Sequence, residues 1–115
     1  MLNLRELQRL LGGELLTPEM NLETECSKIF ASDLMSDVLA FMHPGSVLVT
    51  GLVNAHAVRT ACLADVAAIV YIQGKRPDAT VMEEAVRRGL PIMTTRCSMF
   101  EACSLISKRF PEGGG

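Results

Sequence analysis

Between Asp33 and Arg96 the chain repeats one pattern three times: an apolar strand-like run, a polar corner bearing Gly or Thr, then apolar residues at helical spacing. The corners are Thr50 to Asn54, Gln73 to Asp78 and Thr94 to Ser98. The best-defined run, Ala67 to Ile72, is apolar on both faces and rich in β-branched residues, as expected of a parallel strand covered by helices. Ser46 to Thr50 reads as a buried strand, Pro91 to Thr94 as the last strand, and Ser27 to Ser32 as a further strand with Ile29 and Ala31 on one face and Phe30 on the other. Each is followed by a helical stripe. Asp33 is placed to cap a helix carrying Leu34, Met35, Val38, Leu39 and Met42, which His43-Pro44-Gly45 ends. Asn54 caps a helix with Ala55, Val58 and Cys62 on one face and Asp65 at its close; Asp78 caps one with Val81, Met82, Ala85 and Val86, ended by Gly89. Ser98 and Glu101 form a capping box that opens a last helix carrying Ala102, Cys103 and Ile106.

Ahead of this repeat, Asn3 to Leu11 reads as a short amphipathic helix with Leu4, Leu7, Leu10 and Leu11 on one face, stopped by Gly12-Gly13. Glu14 to Leu16 reads as a short strand ended by Thr17-Pro18, and Glu19 to Glu25 as loop. The fold expected is a small three-layer α/β sandwich: a mainly parallel sheet of four to five strands with helices on both faces. Residues 1–110 make one domain, and 111–115 a flexible tail.

Composition narrows the function. A chain of 115 residues has room for one core, and 49% hydrophobic against 21% charged residues is a globular balance. Aromatics are only 4%, so that core is aliphatic. A net charge of -2, with no basic helix, gives no pull toward nucleic acid or membrane. No apolar run is long enough for a membrane span, and the polar residues of the first five positions exclude a signal peptide's apolar stretch, so a cytoplasmic protein is expected. Cys26, Cys62, Cys97 and Cys103 form no C-x-x-C pair, and His43 and His56 lie at no zinc-site spacing from them. Buried reduced thiols, with no metal and no cofactor, are the expectation.

In a parallel sheet the corners share the carboxyl edge of the strands, where such folds bind ligands. Asp33, Thr50, Gly51, Asn54, Gly74, Lys75, Arg76, Thr95 and Arg96 should gather there, with Ser32, Gln73, Thr94 and Ser98. Helix N-termini, two glycines and three cations favour an anion, and the threonine hydroxyls could complete a phosphate or carboxylate cradle. The same residue types also serve merely to turn the chain and cap helices. Gly74-Lys75 lacks the flanking residues of a phosphate loop. Arg59, one turn into its helix, could reach the edge or pair with Asp65 or Asp33. Cys97 lies near a helix N-terminus, a setting that activates thiols, and His56 is the base that could serve it. Leu52 and Val53 stand where polar residues are expected and suggest a contact surface.

Ser32 to Leu39, Val49-Thr50-Gly51, Val58-Arg59-Thr60-Ala61, Ala68 to Pro77 and Pro91 to Thr95, in that order and spacing, resemble a DRTGG domain from about Leu4 to Ile106. The chain is also similar to the N-terminal domain of HPr kinase/phosphorylase. The resemblance implies a regulatory or linking module of the kind found beside CBS domains in some inorganic pyrophosphatases and in the front part of some phosphotransacetylases. It implies binding or dimerisation without chemistry. No contiguous Asp-Arg-Thr-Gly-Gly is present, and only Arg59 and Thr60 carry over from that motif. The function expected is a non-catalytic, homodimeric module sensing a small anionic metabolite such as a nucleotide. The alternatives are an interaction domain for a larger partner enzyme and an enzyme using Cys97.

Overall fold

The computed structural model describes residues 2–18 and 22–109. Its strands are β1 (Leu2–Asn3), β2 (Glu14–Leu15), β3 (Glu25–Cys26), β4 (Ile29–Ala31), β5 (Val47–Thr50), β6 (Ala68–Tyr71) and β7 (Ile92–Thr94). Its helices are α1 (Leu4–Leu11), α2 (Met35–Phe41), α3 (Ala55–Leu63), α4 (Ala79–Arg87) and α5 (Met99–Ser107).

The main sheet has the order β2-β7-β6-β5-β4. β4 to β7 are parallel, and β2 joins β7 antiparallel through Glu14 opposite Thr94 and Leu15 opposite Met93. Alternate residues of the buried strands feed two cores. Val47, Val49, Ala68, Val70 and Met93 pack with Leu4, Leu7 and Leu11 of α1 and Ala102 and Ile106 of α5. Leu48, Ile69, Tyr71 and Ile92 pack with α2, α3 and α4 through Val38, Ala57, Val58, Ala61, Val81 and Ala85. The result is the expected three-layer sandwich. Full burial of each such aliphatic side chain is worth about 1.5–3 kcal/mol, so both faces of the sheet contribute heavily.

The helix starts follow local chemistry. Asn3, Asn54, Asp78 and Ser98 each accept a backbone N–H three residues on, and Asn3–Glu6 and Ser98–Glu101 form reciprocal capping boxes. Asp33 does not cap α2. The N-cap is Leu34, which offers no side-chain hydrogen bond; its own N–H donates to Ser32 Oγ at 3.0 Å.

Other expectations also change. Leu34, Leu39 and Val86, expected on apolar stripes, are exposed instead, because α2 buries Met35 and Val38 and α4 buries Val81, Glu84 and Ala85. The expected loop, Glu19 to Glu25, ends on the first residue of β3, which pairs antiparallel with β1 in a separate two-stranded sheet. Residues 19–21 of that segment and the expected 111–115 tail lie outside the described residues. Of the cysteines only Cys26 is fully buried; burial, with Glu25 and Glu6 nearby, pushes its thiol up to about 11. Burial also raises Cys103 and Cys62, the latter against the opposing pull of Arg88.

Candidate functional site

Because β4 to β7 are parallel, the corners after them share one edge of the sheet. They do not behave alike there. The corners after β4, β5 and β6 lead to α2, α3 and α4, all on one face, whereas the corner after β7 leads to α5 on the other. Adjacent corners that diverge to opposite faces open a crevice. Here that divergence falls between β6 and β7.

A cavity of about 550 Å³ occupies this place. Gln73, Gly74 and Arg76 contribute from the corner after β6, and Thr94, Thr95, Arg96 and Cys97 from that after β7. Leu11, Gly12 and Glu14 close it from the end of α1 and from β2. That volume lies within the range of small-molecule sites.

The cavity's backbone is held by its own hydrogen bonds. Gln73 N–H donates to Cys97 O at 2.8 Å and Gly74 N–H to Thr95 O at 2.7 Å, which ties the two corners together. Gln73 and Gly74 both have positive φ, 56° and 68°. Gly74 takes that geometry without strain and leaves open space where a side chain would stand. Thr95 Oγ1 donates to Leu11 O at 2.7 Å and accepts from Cys97 N–H at 3.2 Å. Thr94 Oγ1 donates to Lys75 O at 2.8 Å. These hydroxyl protons are committed to the fold and do not form a phosphate cradle. What faces the cavity as charge is Arg96, Arg76 and Glu14. Arg76 is ion-paired with Glu14, and Arg96 is exposed with no ion pair to a described residue.

The corners after β4 and β5 form a second, closed cluster. Asp33 Oδ1 accepts the Thr50 hydroxyl at 2.9 Å and Gly51 N–H at 2.7 Å. Thr50 Oγ1 accepts Leu52 N–H at 3.2 Å, and Lys75 Nζ donates to Gly51 O at 3.5 Å. A Cβ on Gly51 would lie 3.1 Å from Lys75 Nζ and 3.5 Å from both Asp33 carboxylate oxygens. Gly51 thus permits a close approach, but the groups that approach belong to the protein. The Asp33 carboxylate takes the Gly51 N–H and Thr50 hydroxyl that would otherwise be open to an anion. Asn54 Oδ1 is used by the Ala57 N–H at 2.9 Å.

Arg59 and Thr60 do not join the edge. Arg59 pairs with neither Asp65 nor Asp33; Nε and Nη2 donate to Glu84 of α4 at 3.1 and 3.3 Å. Arg88 donates to the same carboxylate at 3.0 Å. The Arg59 hydrogen bond, reinforced by Arg88, holds Glu84 below the usual carboxylate range. Thr60 is buried within α3. Cys97 packs against the α1/α5 core while His56 lies on α3 across the sheet, and no hydrogen bond joins them. Leu52 and Val53 are half-buried against the α2–α4 core. Among the described residues the exposed large apolar ones are instead Leu34, Leu39, Phe41, Leu63, Val86 and Phe100. The sequence reading missed Glu14, the partner of Arg76, and Leu11 and Gly12. A strand beginning directly after the Gly12-Gly13 stop was the available signal that this segment reaches the same edge.

Among the described residues no three His, Cys, Asp or Glu side chains gather as a metal site, and no helix is long and apolar enough to cross a membrane.

This fold and edge define a small α/β domain with a crevice where its connections diverge. The chain belongs to the DRTGG domain family, whose pattern it matches over residues 6–109. Its fold is similar to that in the crystal structure of the CBS and DRTGG domains of the regulatory region of Clostridium perfringens pyrophosphatase, complexed with the activator diadenosine tetraphosphate. The TM-score is 0.76 at 19% identity, covering 90% of this chain and 45% of that one. The chain therefore spans less than half of that regulatory region. Comparison with curated proteins gives no match.

Proposed function

We propose that this chain is a non-catalytic regulatory module that binds a small anionic metabolite, such as a nucleotide, in the crevice between the corners after β6 and β7. The observation that carries this reading is Arg96, a guanidinium beside the 550 Å³ cavity with no ion pair to a described residue. Family membership and the nucleotide activator bound by the Clostridium regulatory region support it. Gly74, Arg76 and Thr95 line the same cavity, and Lys75, whose carbonyl accepts the Thr94 hydroxyl and whose Nζ reaches Gly51 O, joins it to the cluster of Asp33, Thr50 and Gly51. Four free cysteines suit a reducing compartment such as the cytoplasm.

The test is thermal unfolding with a panel of nucleotides and other phosphorylated metabolites at millimolar concentration. A ligand selective for the folded state raises Tm. The rise is expected for at least one nucleotide and should vanish in Arg96→Ala. No shift across the panel, or a shift unchanged in Arg96→Ala, overturns the reading.

A second reading, an interaction domain acting as a homodimer or with a larger enzyme, is favoured by Leu34, Leu39 and Phe41, exposed on and beside α2, and Leu63 on α3. A strictly monomeric protein in light scattering, with no co-purifying partner, counts against it.

A further inference from the structure

The cavity's polar groups are unequally available, and this bears on the ligand's charge. Sites for polyphosphates combine several free backbone N–H groups with more than one cation. Here the N–H groups of Gln73 and Gly74 and the hydroxyls of Thr94 and Thr95 already have protein acceptors. Of the two guanidiniums, Arg76 is matched by Glu14, which reaches it from β2 across the cavity wall. Arg96 alone of the two has no ion pair to a described residue.

We propose that Glu14 sets the charge selectivity of the crevice: it neutralises Arg76, so that a metabolite with one phosphate is received at Arg96 and a polyphosphate is disfavoured. This rests on the ligand-binding reading above. A second or third phosphate would meet the Glu14 carboxylate, and like charges at such separations repel appreciably even in a solvated cleft. The antiparallel pairing of Glu14 with Thr94 holds this carboxylate at the cavity edge.

The test measures binding of adenosine monophosphate and adenosine triphosphate by calorimetry on the full chain, without magnesium. The wild-type protein is expected to prefer the monophosphate. Glu14→Gln should raise the triphosphate-to-monophosphate affinity ratio roughly tenfold, by freeing Arg76. Arg76→Gln, which leaves Glu14 unmatched, should lower that ratio, and it keeps the proposal testable if Glu14→Gln folds poorly. A wild-type preference for the triphosphate, or a ratio unmoved by both variants, overturns the proposal while leaving the binding site standing. If neither nucleotide binds any of the three proteins, the selectivity proposal falls, and the binding-site reading falls with it when the thermal panel above also gives no shift.

Discussion

The corners after β4 and β5 and those after β6 and β7 are built from the same residue types and end in opposite states. In the first pair Asp33 supplies an internal anion: its carboxylate takes the Gly51 N–H and the Thr50 hydroxyl, and Lys75 closes over Gly51. In the second pair the Gln73 and Gly74 N–H groups are taken by neighbouring carbonyls, while a cavity remains with an arginine beside it that has no ion pair to a described residue. Gly, Thr and Lys at a strand end therefore describe either a closed structural clasp or an open site. The outcome depends on whether another part of the chain delivers a carboxylate, and on whether neighbouring connections diverge.

Mutation of each side should separate the two by stability. Asp33→Ala leaves the fully buried Thr50 hydroxyl without its acceptor and is expected to cost about 2 kcal/mol in denaturant unfolding. Arg96→Ala should stay within about 0.5 kcal/mol of wild type, as expected of an exposed residue with no ion pair to a described residue. Equal losses at the two positions would erase the distinction.

A smaller effect is expected at Tyr71, the last residue of β6, opposite Thr50 on one side and Thr94 on the other. Both threonine hydroxyls are bonded, whereas the Tyr71 hydroxyl is buried with no partner among the described residues, and burial pushes its pKa up to about 12. Tyr71→Phe removes an unserved polar group and should stabilise the protein by up to about 1 kcal/mol. A clear loss of stability would reveal a partner for that hydroxyl and revise the boundary between the two regions.

The smallest effect concerns pH. The folded-state pKa of Glu84 lies below its ordinary value, chiefly through Arg59 and then Arg88. The stability from this cluster is fully present above about pH 4.3 and is lost as pH falls through the lowered folded value. Glu84→Gln should flatten the acid side of the stability profile slightly, without altering the nucleotide-dependent Tm shift. An altered ligand response would mean that α3 and α4 communicate with the crevice, contrary to their separation from it here.

Local chemistry was legible. Asn54, Asp78 and Ser98 start their helices where their sequence contexts indicate, since a cap and its acceptor are three residues apart. The doubly apolar runs became the central parallel strands. Where the partner is distant, sequence reasoning stopped short. Asp33 has the composition of a cap, yet Gly51, 18 residues on, competes for its carboxylate. Arg59 finds Glu84 25 residues away, and Arg76 finds Glu14 62 residues back. The strands β1 and β3, of two residues each, are too short to show any alternation.

Periodicity and local capping are enough to dictate the alternation of strands and helices, the two-faced aliphatic core and the collection of polar corners at one sheet edge. Which corner is closed and which is open is a matter of long-range packing. That choice depends on where the Asp33 and Glu14 carboxylates arrive and on α5 leaving the sheet by the face opposite to α4, and each of these is settled by packing between segments far apart in the chain.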